Sequence, residues 1–162
     1  MINIALFLLG FIIGSSICAQ THEFNDFTIT ISMSSDLVTS SSGYQIKVAR
    51  DSFLYARLNA NSKAESLVSH VVDLDNDGNF EVVILFNSTR NMPHLYSWKD
   101  NKLERLQVPE IKSSVKDLNF VDYAVSDSNF KRIVHFNTDS SKKRISHYSV
   151  ADLKWQIVQE PD

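Results

Sequence analysis

From Phe27 onward the chain is written in short alternations. Phe27 to Met33 reads FTITISM, with apolar residues interleaved with Thr and Ser. A period of two sends successive side chains to opposite faces of an extended strand, so one face is offered to a core and the other to water. Tyr44 to Ala49 (YQIKVA) repeats the pattern after a Ser-rich turn at Thr39–Gly43, and Phe53 to Leu58 and Leu67 to Leu74 continue it. Phe80 to Phe86 departs from it: nearly every residue is apolar, as expected of a central strand buried on both faces. His94 to Trp98 and Leu103 to Val108 flank Lys99-Asp100-Asn101-Lys102, a hairpin turn by composition. After a less regular stretch, where only Glu110 to Asp117 hints at a helical turn, come Phe120 to Val125, Ile133 to Phe136, Ile145 to Val150 and Trp155 to Val158. About eleven short runs at intervals of about 8–12 residues predict an all-β fold, an antiparallel β-sandwich or barrel of about 8–11 strands. No internal repeat is evident, and no Pro- or Gly-rich linker divides the sequence.

Ahead of these runs, residues 1–19 carry no charged side chain, are rich in Ile, Leu and Phe, and end in Cys18-Ala19. An apolar stretch too short to span a bilayer comfortably, followed by small residues, reads as a signal peptide cleaved after Ala19. The same segment is open to lipidation at Cys18, although Ile17 stands where a lipoprotein signal wants a small residue, and to retention as a membrane anchor. The expectation is an exported protein, periplasmic or secreted, with no stable membrane span once the leader is gone. Residues 20–162 then form one domain, about 143 residues, enough for a real core. The net charge of −3 is untouched by loss of the leader and gives no concentrated positive footprint, which argues against nucleic acid. Cleavage after Ala19 would also remove Cys18, the only cysteine, and with it disulfides, Cys-based zinc sites and a Cys nucleophile.

The sharpest chemical signature is Asp73-Leu74-Asp75-Asn76-Asp77-Gly78-Asn79-Phe80-Glu81. Oxygen-bearing side chains at the first, third and fifth positions, followed by Gly, let a tight turn aim several oxygens at one centre. A hard Ca²⁺ ion takes about 6–8 such ligands. Asp73, Asp75 and Asp77 would give carboxylates, Asn79 its backbone carbonyl, Gly78 the sharp turn, and Glu81 the closing carboxylate. An EF-hand needs a glutamate at the twelfth position and helices on both sides; here the twelfth residue is Ile84 and both flanks read as strands. The competing reading is a metal-free turn whose Asp and Asn side chains bond nearby backbone N–H groups. Four carboxylates in so short a segment repel one another unless screened or coordinated, which favours a structural Ca²⁺.

The D-x-D-x-D-G-x-x-[DE] pattern between two strands resembles the calcium loops of FG-GAP and VCBS repeats, the blade motif of integrin-type propellers. The resemblance covers about 25 residues, and a single loop is too few for a complete propeller, which has at least about four blades. A second resemblance spans roughly residues 40–158. Periplasmic inhibitors of invertebrate-type lysozyme are small exported β-sandwiches with a related acidic hairpin. They also have segments similar to Ser42-Gly43-Tyr44-Gln45-Ile46-Lys47-Val48 and to Arg144-Ile145-Ser146-His147-Tyr148 followed by a turn and Lys154-Trp155. This resemblance implies a protein partner, a lysozyme. The family's inhibitory Ser-Gly-x-x-Tyr loop is absent: the only Ser-Gly is Ser42-Gly43, with Ile46 in the place of Tyr, and Asn87 to His94 has no glycine.

Catalytic patterns are scarce. His22, His70, His94, His135 and His147 form no H-x-x-x-H or H-E-x-x-H motif, though His135 and His147 are candidates to face each other across a hairpin. No G-x-S-x-G elbow occurs, and only Gly43 and Gly78 lie beyond the leader, too few for a phosphate-cradling loop. A Ser-His-Asp triad assembled from distant residues would leave no sequence trace. Lys142-Lys143-Arg144 reads as a solvated turn that also discourages edge pairing, or as a contact for an anionic partner. Tyr96, Trp98 and Trp155 read as core aromatics rather than sugar platforms. Asn87-Ser88-Thr89 fits a glycosylation sequon if the source is eukaryotic. The expectation is a non-catalytic exported module that binds another protein through its loops. The first alternative is a calcium-stabilised FG-GAP/VCBS-like module for surface adhesion or carbohydrate contact, and the second a secreted hydrolase.

Overall fold

The computed structural model describes residues 19–36, 41–62, 66–87, 92–111, 117–137 and 142–159. The leader up to Cys18 and most of the expected helical turn at Glu110–Asp117 lie outside them. Among the described residues twelve strands follow one another: β1 (Ala19–Phe24), β2 (Phe27–Asp36), β3 (Ser41–Arg50), β4 (Phe53–Asn61), β5 (Leu67–Val72), β6 (Glu81–Phe86), β7 (His94–Lys99), β8 (Lys102–Leu106), β9 (Leu118–Ser126), β10 (Asn129–Phe136), β11 (Lys143–Ser149) and β12 (Lys154–Gln159). They form three four-stranded antiparallel sheets, each a simple up-and-down meander in chain order: β1 to β4, β5 to β8, and β9 to β12.

The all-β expectation holds, and sheet packs on sheet, but the layers number three rather than a sandwich's two. Ile29, Ile31, Tyr44, Ile46 and Val48 of the first sheet pack against Phe80, Val82, Ile84, Tyr96 and Trp98 of the middle one. Val83 and Leu95, on the opposite face of the middle sheet, pack with Phe130 and Tyr148 of the last. β6 therefore has to be apolar on both faces, which explains why Val82, Val83 and Ile84 escape the alternation seen elsewhere; all three are fully buried. The sequence shows no repeat, yet the three sheets share one unit. The repeated unit is the four-stranded meander, and it lives in the hydrogen-bond ladder and the hydrophobic period, which many different sequences satisfy.

Tight turns keep the meanders in register. Asp51-Ser52, Asp100-Asn101 and Asp127-Ser128 all have positive φ at both residues, between 47° and 69°, the geometry of two-residue hairpins that match the strand twist. Gly43 serves a different need. A Cβ there would lie 2.5 Å from the Ala60 carbonyl oxygen, so the close approach of β3 to β4 requires glycine.

β1 is the strand that alternation does not reveal, because two of its three inward side chains, Gln20 and His22, are polar. The Gln20 amide behaves as an extra ladder rung: Nε2 donates to Leu67 O at 2.9 Å, and Oε1 accepts from Ser69 N at 2.8 Å and Ser69 Oγ at 2.7 Å. His22 Nε2 meets the same Ser69 Oγ at 2.8 Å. With the hydroxyl proton directed at Gln20, His22 is the donor in that contact and does not act as a base on Ser69. These bonds lay β1 against β5 and fasten the first sheet to the middle one. A second polar fastening lies between the same sheets, where the Tyr44 hydroxyl bonds His94 Nδ1 and, at 2.7 Å, the Tyr96 hydroxyl.

Burial, with the Arg105 charge secondary, holds His94 down to about 4, so it enters the folded state neutral. A lowered folded value means the unfolded chain binds the extra proton first. His94 should therefore cost stability progressively as pH falls from about 6.5 to about 4. Urea melts of wild type and His94→Phe across that interval should show a shallower acid-side loss in the variant, with about 1 kcal/mol lost at neutral pH from the missing Tyr44 bond. Gln20→Ala should cost about 1–3 kcal/mol in the same assay, because Ser69 N and Leu67 O are left unpaired.

Candidate metal centre

The acidic segment is the connection from β5 to β6, at one end of the middle sheet. Phe80 anchors it. This ring is buried, stacks on Trp98 at 5.5 Å with an interplanar angle of 7°, and packs against Phe24 and Phe27 of the first sheet. Its carbonyl accepts the Trp98 N–H at 2.9 Å, so the exit of the loop is fixed by both side chain and backbone. Asn76 and Gly78, at φ of 58° and 86°, make the reversal; the left-handed geometry at Gly78 is the sharp turn expected of that glycine.

Within this frame one oxygen each of Asp73, Asp75 and Glu81 falls into a group whose members all lie within 4.8 Å of one another. It is the only group of three or more His, Cys, Asp or Glu with such geometry among the described residues. Asp75 is exposed, Asp73 half-buried, and Glu81 only 1% exposed. Asp73 also organises the turn, its two oxygens accepting from Asp77 N at 3.2 Å and Gly78 N at 3.0 Å. Asp77 is placed differently. Its oxygens accept from the backbone and side-chain nitrogens of Asn79 at 2.8 and 3.0 Å, and it stands outside the three-oxygen group. Of the five ligands named from sequence, the structure thus gathers three carboxylates and pairs Asp77 with Asn79. The Asx-type bonds of the metal-free turn and the converging oxygens coexist.

Glu81 is the unusual member. Its Oε2 accepts Leu74 N at 2.9 Å and its Oε1 accepts Ser97 Oγ at 2.9 Å. Burial pushes its carboxyl up to about 7, against the pull of those two bonds, and the Asp75 and Asp77 charges add to the rise. Asp75 is raised as well, first by burial and then by Asp77, whereas the Asn79 bonds lower Asp77. A carboxylate oxygen has room for about two acceptor contacts, so each Glu81 oxygen keeps one lone pair for a cation. Three carboxylate donors, with backbone carbonyls and water available at an exposed loop, suit a hard cation rather than a soft metal.

The other candidates fall elsewhere. His135 and His147 share a face of the last sheet but are out of register, since His147 pairs with Lys131 and His135 with Lys143. His135 instead stacks on Phe120 at 4.0 Å and bonds Asp122 at 3.1 Å. Tyr96 and Trp98 are core residues, and Trp155 is half-buried in the second core with its indole N–H on Pro109 O at 3.0 Å. Residues 88–91, which include Ser88 and Thr89 of the sequon, lie outside the described residues.

In metal-free buffer the raised carboxyl of Glu81 means that the folded state holds a proton the unfolded chain has lost. Its contribution is fully present below about pH 4.5 and disappears as pH rises through about 7, opposite in sign to His94. The stability difference between wild type and Glu81→Gln, measured by denaturant melts in EGTA, should therefore move against wild type as pH rises from about 4.5 to about 7. A difference independent of pH would contradict it.

Against family models, curated proteins and solved structures, the chain finds no match.

Proposed function

We propose that this is an exported, non-catalytic binding module of the FG-GAP/VCBS kind, in which Ca²⁺ at Asp73, Asp75 and Glu81 is a structural staple. The observation that carries the reading is the convergence of those three oxygens beside a fully buried glutamate in the connection feeding the central strand. Two further features support it. The acidic loop joins the first and second strands of a four-stranded meander, and such meanders are stacked in chain order as propeller blades are. The hairpin it closes is the one on which both cores rest. With an ion bound, the mutual repulsion of the loop carboxylates would be offset in part and the loop held rigid. Asp77 and Asn79 would join the shell by rearrangement or through water.

A protein partner is the second reading, and a lysozyme is the partner that the inhibitor resemblance implies. It is favoured by the exposed apolar tip where β4 begins: Phe53, Leu54 and Tyr55 are 72%, 51% and 46% exposed. Side chains of this size left in water on adjacent positions suit a recognition contact. A catalytic reading has less support, since the Ser69–His22 contact has its hydroxyl proton engaged elsewhere.

Thermal or urea melts in Ca²⁺ and in EGTA test the first reading. At a free Ca²⁺ concentration about 100 times Kd the stability gain should be about 2.7 kcal/mol, and it should vanish in Asp75→Asn together with Glu81→Gln. An unchanged midpoint, with no calcium by elemental analysis, would remove it. Lysozyme inhibition and affinity capture with wild type and Phe53→Ser test the second; no inhibition and equal capture would count against it.

A further inference from the structure

The last sheet carries one row of side chains that does not suit the core around it. Register places Tyr123 of β9, Arg132 of β10, Ser146 of β11 and Ile157 of β12 side by side. The adjacent positions on the same face are aromatic: Phe130, Tyr148 and Trp155 pack together at centroid distances of 5.1 to 6.0 Å. Ser146 is fully buried, yet its hydroxyl has no hydrogen-bond partner, and the buried Nε of Arg132 directly across the ladder has none either. Natural proteins rarely leave two buried polar atoms unpaired at one place, and such a pair marks a spot where a further polar group belongs.

The arginine is held ready for such a ligand. Its guanidinium lies over the Trp155 ring, 4.7 Å from the centroid, so its flat face is occupied and its N–H edge is left free. No carboxylate among the described residues pairs with it. Arg144, diagonally placed on the same face and lying over Phe136 at 5.8 Å, adds like charge nearby. Burial first, and then that charge, work against the charged form of Arg132, while Tyr123 favours it. A single water would satisfy Nε and Oγ but leave the charge of Arg132 itself without a counter-ion. An oxyanion satisfies both.

We propose that Arg132 and Ser146 form an oxyanion site, in which the Nε and Nη edge of Arg132 takes two oxygens of a carboxylate or phosphate group and the Ser146 hydroxyl donates to one of them. The paired geometry is the one in which an arginine fork is stronger than a lysine point charge.

The side-chain Nε–H resonance of Arg132 in ¹⁵N-labelled protein reads the site directly. Titration with sodium phosphate, and separately with sodium acetate, at constant ionic strength should move that resonance saturably in at least one arm, while sodium chloride does not. The tighter arm identifies the ligand group as phosphate or carboxylate. Arg132→Lys should weaken binding at least about tenfold, and Ser146→Ala should weaken it by a smaller factor. No saturable shift with either anion, an equal response to chloride, or unchanged affinity in Arg132→Lys would each overturn the proposal. If the lysine variant fails to fold, the wild-type titration decides alone.

Discussion

A carboxylate carried into the middle layer of a stack of sheets has to be held there. Glu81 opens β6, the strand on which both cores rest, and its side chain is almost wholly out of water. Leu74 N and Ser97 Oγ each give it one hydrogen bond, tying it to the start of its own loop and to the neighbouring strand β7. Those bonds set the path of the loop, and the loop sets the register in which β5 meets β6. The charge is the part that two neutral donors do not offset, which is why the carboxyl rises to about 7 and why Asp73 and Asp75 at the same place point to a cation.

The rest of the stack is arranged around that middle sheet. Apolar side chains fill both of its faces, but direction and register come from polar contacts at particular points. Gln20 completes a ladder between β1 and β5, and the Tyr44, His94 and Tyr96 cluster joins the first sheet to the middle one from inside the core. On the other side, Tyr148 and Trp155 donate to the carbonyls of Gln107 and Pro109, so the segment leaving β8 is held to the last sheet. Directional bonds of this kind select one packing among the many that hydrophobic burial alone would allow.

Much of this was legible in the residues. Alternation in FTITISM and YQIKVA, the unbroken apolar run before Phe86, and the Asp-Asn turn at residues 100 and 101 each declare their structure locally, and each is found. β1 was not legible, because Gln20 and His22 occupy inward positions that apolar residues normally hold, and their reason lies about 47 residues away at Ser69. The three-layer stack was hidden for a related reason: alternation tells which face of a strand is buried, not which sheet buries it. At the acidic loop the residue types raised the expectation of a hard-cation site, and three of the carboxylates named for it, Asp73, Asp75 and Glu81, do converge. The division of labour, with Asp77 bonded to Asn79 and Glu81 buried, depends on the turn geometry. The Arg132–Ser146 pairing is invisible in sequence, since it arises only from the register of β10 with β11.

The most direct test of the account is a crystal structure of the protein grown in millimolar Ca²⁺. The account predicts one ion at the β5–β6 connection, within about 2.3–2.6 Å of oxygens from Asp73, Asp75 and Glu81, with backbone carbonyls or waters completing about 6–8 ligands. A loop with the same side-chain positions and no ion at that concentration would contradict it.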